Sequence, residues 1–105
     1  MATQADQRLS EATRRMVELA RRTGLSSELP RRRYLWTDAF AVCTFLGLAR
    51  VTGEGRYREL ALRLIDQVHR SLGQHRADDP RAGWLSGLHE QEAAAHPPRA
   101  GLRIG

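Results

Sequence analysis

Thr37-Asp38-Ala39-Phe40-Ala41-Val42-Cys43-Thr44-Phe45-Leu46-Gly47-Leu48-Ala49-Arg50-Val51-Thr52 decides the fold class of this chain. From Ala39 to Ala49 only Thr44 is markedly polar. No alternation of period two runs through it, and its length suits a helix rather than a strand. Thr37 is placed to act as N-cap, with Asp38 in the first turn where a carboxylate favours the helix dipole. Gly53 is the stop. A helix apolar on all sides has to be covered on all sides, so this segment predicts a buried helix over about 37–52, with Cys43 in it as a small buried hydrophobe. Gly47 lets a neighbouring backbone approach closely.

The next segment differs. After the short turn Thr52-Gly53-Glu54-Gly55, the residues Tyr57, Leu60, Ala61, Leu64, Val68 and Leu72 form one stripe, while Arg56, Glu59, Arg63, Asp66, Gln67 and Arg70 are expected to face away. That is an amphipathic helix over about 56–73. The two segments predict an antiparallel helical hairpin. Upstream, Leu9, Ala12, Met16, Leu19, Ala20 and Thr23 predict a third helix over about 4–23. Thr3 with Asp6 resembles a capping box, and Gly24 is the stop. Between the first two helices Pro30 disfavours helix at Leu29, and Arg31-Arg32-Arg33 is the densest charge cluster in the chain.

Beyond Gln74 the pattern breaks. Residues 76–105 hold three of the four prolines and four of the nine glycines, and only Leu88–Ala95 suits a short helix. No strand is convincing. The fold class is all-α, followed by a long irregular loop. Because two amphipathic helices cannot surround the apolar one, the 105 residues are expected to be the N-terminal part of a larger helical domain. An apolar face left open in the chain alone is expected to drive self-association.

Composition narrows the classes. The chain has 17 Arg and no Lys, 12 Asp or Glu, a formal net charge of +5, and one cysteine. The absence of Lys and Asn with abundant Arg, Ala and Gly suggests GC-rich codons and a bacterial source, so the arginines reflect codon usage as well as any need for charge. One cysteine excludes an internal disulfide framework. Met1–Ser10 is polar with no apolar h-region after it, and the longest apolar run falls well short of the roughly 20 residues of a membrane span. A cytoplasmic chain with no membrane partner is expected. No nucleic-acid motif or aromatic platform accompanies Arg31–Arg33, so a solvated run is expected there and no nucleic-acid partner.

The string Tyr34-Leu35-Trp36-Thr37-Asp38-Ala39-Phe40-Ala41-Val42, the Thr52-Gly53-Glu54-Gly55-Arg56-Tyr57 turn, Asp78-Asp79-Pro80-Arg81, Gly83-Trp84-Leu85-Ser86-Gly87-Leu88 and Gly101-Leu102-Arg103-Ile104-Gly105 together resemble an uncharacterised bacterial branch of the six-hairpin glycosidase superfamily. The resemblance runs from about Arg33 to Gly105. It implies an (α/α)6 toroid with inner and outer rings of six helices, a central funnel holding the active site, and a carbohydrate-related role such as sugar binding, hydrolysis or isomerisation. This chain would supply one and a half hairpins of the six and is expected to be inactive alone. The resemblance assigns no catalytic residue.

Four residues are candidates for such a site. Asp38 is the only acid between Pro30 and Thr52; it serves either as a proton-transferring or hydroxyl-binding carboxylate or as a first-turn dipole residue. Trp36 either stacks on a sugar face or staples the helix to the core. Trp84, flanked by Gly83 and Gly87, is either a loop ligand contact or a residue packed over the third helix. Arg103 either clamps an anion or pairs with a structural acid. No metal or cofactor is expected: His89-Glu90 opens like a zinc-protease motif, but Ala93 stands where its second ligand belongs, and His69, His75 and His96 add no ligand spacing. A non-enzymatic alternative is a small helical module that binds a partner helix on its open apolar face.

Overall fold

Thr3 opens the first helix by reciprocal capping. Its side chain accepts from the Asp6 N–H at 3.0 Å while the Asp6 carboxylate accepts from the Thr3 N–H at 3.1 Å. Helix α1 then runs Gln4–Arg22. Gly24 follows it in the left-handed region (φ +75°), and a side chain there would meet the backbone of Leu29 and Arg31. The computed structural model describes all residues 1–105 and adds three more helices, α2 (Leu35–Thr52), α3 (Gly55–Leu72) and the short α4 (Glu90–Ala95). The chain is all-α. Its only β-type pairing is an isolated antiparallel bridge between Gln74 and Trp84.

Helices α2 and α3 form the expected antiparallel hairpin. Tyr57, Ala61, Leu64 and Leu72 of α3 meet Ala41, Phe45 and Leu48 of α2 in one core, to which α1 contributes Ala20 and the loop after it Leu25. Phe45, Tyr57 and Ala61 are wholly inaccessible to solvent. Helix α1 adds Leu9, Met16 and Leu19 as partly buried neighbours. The molecule is elongated, 57 × 23 × 21 Å, with a radius of gyration of 16.1 Å against the roughly 13 Å of a compact domain this size.

Three sequence expectations change. First, α2 starts a turn earlier than Thr37. Its N-cap is Tyr34, whose N–H donates to the Asp38 carboxylate at 2.9 Å, and the Leu35 N–H donates to the Ile104 carbonyl at 2.8 Å. Partners for both amides let the helix extend upstream of the threonine. Second, α2 is not enclosed. Only Asp38, Ala41, Phe45 and Leu48 are buried, whereas Trp36, Phe40, Leu46 and Val51 are exposed. The open apolar surface expected of the chain is therefore present. By length and composition α2 is also apolar enough to cross a membrane. Third, Cys43 is exposed. It lies on the Trp36–Phe40 side of the helix, and the side facing α3 is set by Ala41, Phe45 and Leu48 at steps of three and four.

The irregular tail after α3 is ordered by the helix ends it crosses. The Leu85 N–H donates to the Gly73 carbonyl and the His75 N–H to that of Gly83. Gly73 itself has ordinary dihedrals (φ −80°). It is needed for space, because a Cβ there would press on the carbonyl of His69, stand 2.7 Å from that of Pro97 and 3.3 Å from the Trp84 ring. The last residues return to the hairpin, where Leu102 packs on the core and the Arg103 N–H donates to the Leu72 carbonyl at 2.9 Å.

Candidate functional site

One end of the hairpin gathers the chemistry. There the start of α2, the end of α3, the 31–33 segment and residues 102–105 meet. The opposite end holds only the tight Gly53–Glu54 turn, which closes with Gly53 in the left-handed region.

Asp38 is the most buried acid at that end, 4% exposed. Its Oδ2 accepts the Tyr34 N–H and stands 3.7 Å from the Arg33 Nε. Burial raises its carboxyl pKa above the usual carboxylate value, against the lowering effects of the Tyr34 N–H and the Arg33 charge. Its Oδ1 has no hydrogen-bond partner in the protein. Arg33 is just as enclosed: its side chain is 2% exposed. It donates through Nη2 to the Thr23 carbonyl at 2.9 Å, and its Nε and Nη1 have no hydrogen-bond partner. Burial pulls the Arg33 pKa down, against the raising effect of the Asp38 charge, and the charge of Arg31 adds to the lowering. At 3.7 Å the pair is in ionic contact without a direct hydrogen bond. The arrangement satisfies Asp38 as an N-terminal anchor of α2, which is the first-turn role open to it from sequence.

Asp38 also borders a cavity of about 250 Å³ between α2 and α3, with Leu35, Val42, Val68, His69 and Leu102 among its walls. The lining is apolar apart from Asp38 and His69. Sequence reasoning did not connect His69 or Arg33 to Asp38. Arg33 had one signal, as the arginine nearest to the only acid of its stretch; His69 had none, being a polar residue on the flank of an apolar stripe.

None of the other three candidates lines this cavity. Trp36 is 60% exposed and stands edge-on to Tyr34, ring centroids 6.4 Å apart at 78°. It is not a staple on the core. Two residues from Asp38 on the same helix, it points to a different face, so the indole and the carboxylate do not share one concavity. Trp84 is buried at 5% exposure, against Gly73 at the end of α3, and its indole N–H donates to Glu90 at 2.5 Å. That contact ties the loop to the first turn of α4 and matches the packing role. Arg103 has no acid partner. It donates from Nε to the Gln74 carbonyl at 2.6 Å and from Nη2 to that of Ser71 at 2.9 Å, closing carbonyls that the end of α3 leaves open. The structure contains no cluster of three or more His, Cys, Asp or Glu residues suited to a metal ion.

Comparison of the chain with protein-family models, with curated proteins and with solved structures gives no match.

Proposed function

We propose that this chain is a helical interaction module that docks a partner helix on the outward face of α2. The observation that carries the reading is the exposure of Trp36 (60%), Phe40 (77%) and Val51 (64%) along a helix with only four buried residues. Large apolar side chains in a row on one helix face are the form that helix-in-groove recognition takes. The face suits a second copy of this chain, and equally the next helical hairpin that an α/α-toroid would lay against it. Sedimentation of the purified chain across a wide concentration series tests the reading. A reversible shift to a dimer or larger species is expected, lost in a Phe40→Ser, Val51→Ser variant that keeps its helical circular dichroism. A chain that stays monomeric, binds no hydrophobic dye and takes no added apolar helix overturns it.

A carbohydrate-related role draws support from one feature, the exposed Tyr34–Trp36 pair, since an open indole face is a suitable platform for a sugar ring. Trp84 is enclosed, so fluorescence quenching or a spectral shift on titration with a sugar panel reports on Trp36. The expected response disappears in Trp36→Leu. An unchanged spectrum over the whole panel removes this reading.

A further inference from the structure

We propose that the arginine-lined groove between the 31–33 segment and the end of α3 is a binding site for a phosphate group. This inference is independent of the docking face on α2. The groove has a volume of about 420 Å³ and is lined by Arg31, Arg32, Arg33, Arg76 and Arg103. Asp78 is the one acidic side chain in the lining, and Asp38 stands behind the wall against Arg33. The Asp78 carboxylate is already committed, accepting from Arg76 Nε at 2.9 Å and Nη2 at 3.2 Å.

The five arginines divide by what they are already doing. Arg33 is part of the wall, its side chain enclosed and fixed by Thr23 and Asp38. Arg103 is held by two carbonyls at the end of α3, which fixes its guanidinium plane and leaves Nη1 without a partner. Arg31 and Arg32 are exposed and make no side-chain hydrogen bond or ion pair with the protein. Their backbone is nevertheless fixed: the Arg32 N–H donates to the Thr23 carbonyl at 3.0 Å, and the Arg31 backbone lies against Gly24. The result is two free guanidinium groups on an anchored segment, facing a groove whose far side is a third, pre-oriented one.

Guanidinium is the side chain best matched to phosphate oxygens, because its planar fork donates two parallel hydrogen bonds. Codon usage explains why a cation here is Arg rather than Lys. It does not explain why Arg31, Arg32 and Arg103 share one groove with no acid of their own, Asp38 and Asp78 being committed to Arg33 and Arg76, when the arginines of α1 that bind acids have Glu11 and Glu18 beside them. The groove has room for the phosphate and for part of its carrier. Free phosphate compounds and lipid phosphate headgroups share this chemistry.

Calorimetric titration of the whole chain with pyrophosphate tests the proposal, beside two variants of equal net charge. Arg31→Ser with Arg32→Ser removes the free guanidiniums of the groove. Arg8→Ser with Arg58→Ser removes two exposed arginines that make no ion pair, from α1 and α3. Saturable binding is expected, weakened about tenfold or more by the groove pair and less than about twofold by the distant pair. Vesicles of phosphatidylcholine with and without phosphatidic acid form the second arm. Binding confined to the phosphatidic acid vesicles, and abolished by the groove pair alone, assigns the same site to a lipid headgroup. Absence of binding in both arms, or equal losses in the two variants, overturns the proposal in favour of diffuse attraction by the net charge.

Discussion

Helices α2 and α3 are both 18 residues long and bury matching faces against each other, yet their outward faces have opposite chemistry. The outward face of α3 carries Arg56, Arg58, Glu59, Arg63, Asp66 and Arg70, with Leu62 the one large apolar residue exposed on it. The outward face of α2 carries Trp36, Phe40, Cys43, Leu46 and Val51. Burial within the chain explains one side of each helix. Water accounts for the other side of α3, where a charged face is well solvated, but not for the other side of α2.

Five substitutions break or sharpen that contrast. The largest effect is expected at Phe45, fully enclosed on the inner side of α2; Phe45→Ala should cost about 3–5 kcal/mol in urea unfolding. Phe40→Ala, five residues away and 77% exposed, should change monomer stability by less than about 0.5 kcal/mol while removing association. If both lose comparable stability in the monomer, the two-faced description of α2 is wrong. Next comes Arg33→Met, which leaves the Asp38 carboxylate enclosed without its counter-charge and should cost about 3 kcal/mol in the same assay. Gly47→Ala should stabilise the monomer by about 1 kcal/mol, read as a higher melting temperature, because a Cβ there meets nothing within 4 Å. Gly73→Ala should do the reverse, since its Cβ meets backbone carbonyls.

The smallest effect is in pH. Burial raises the Asp38 pKa above 3.8 in the folded chain. Its contribution to stability is therefore complete below about 3.8, where it is protonated in both states, and is lost as pH rises through the higher folded value. Relative to Asp38→Asn, the wild-type chain should gain stability on acidification through that window. Glu11 behaves in the opposite sense. Arg14 and Arg15 hold its carboxyl down to about 2, so its contribution is present above the unfolded value of 4.5 and is lost as pH falls through about 2. Urea midpoints of wild type, Asp38→Asn and Glu11→Gln across this range check both signs.

What was legible in the sequence was what is decided locally or by period. The Thr3–Asp6 capping box needs three residues of chain, and the stripe of α3 fixes its own buried face. What was not legible was decided from a distance. The extra turn at the start of α2 depends on the Ile104 carbonyl, far away in sequence. The exposure of Cys43 was illegible for another reason: a helix apolar all round gives no phase, so nothing in 37–52 says which side meets α3. Trp84 stayed open between a loop contact and a packed residue because it lies outside any periodic stripe; the contact that decides for packing is with Gly73 at the end of α3. Among the site candidates, Asp38 was found by its solitude, whereas its partner Arg33 was masked by the run of three arginines to which it belongs.

The strap formed by Leu102–Ile104 has a consequence for the order in which the molecule assembles. The α2–α3 hairpin closes across the two-residue Gly53–Glu54 turn and needs little loop entropy. The bond from the Leu35 N–H to the Ile104 carbonyl closes about 70 residues of chain, and that entropy is recovered only after the hairpin stands as a template. The first turn of α2 and the last turn of α3 are thus completed late, by residues that were not neighbours until everything between them had folded. In amide exchange they should open together, before the hairpin interior does, so that both helix ends fray as one unit although they belong to different helices.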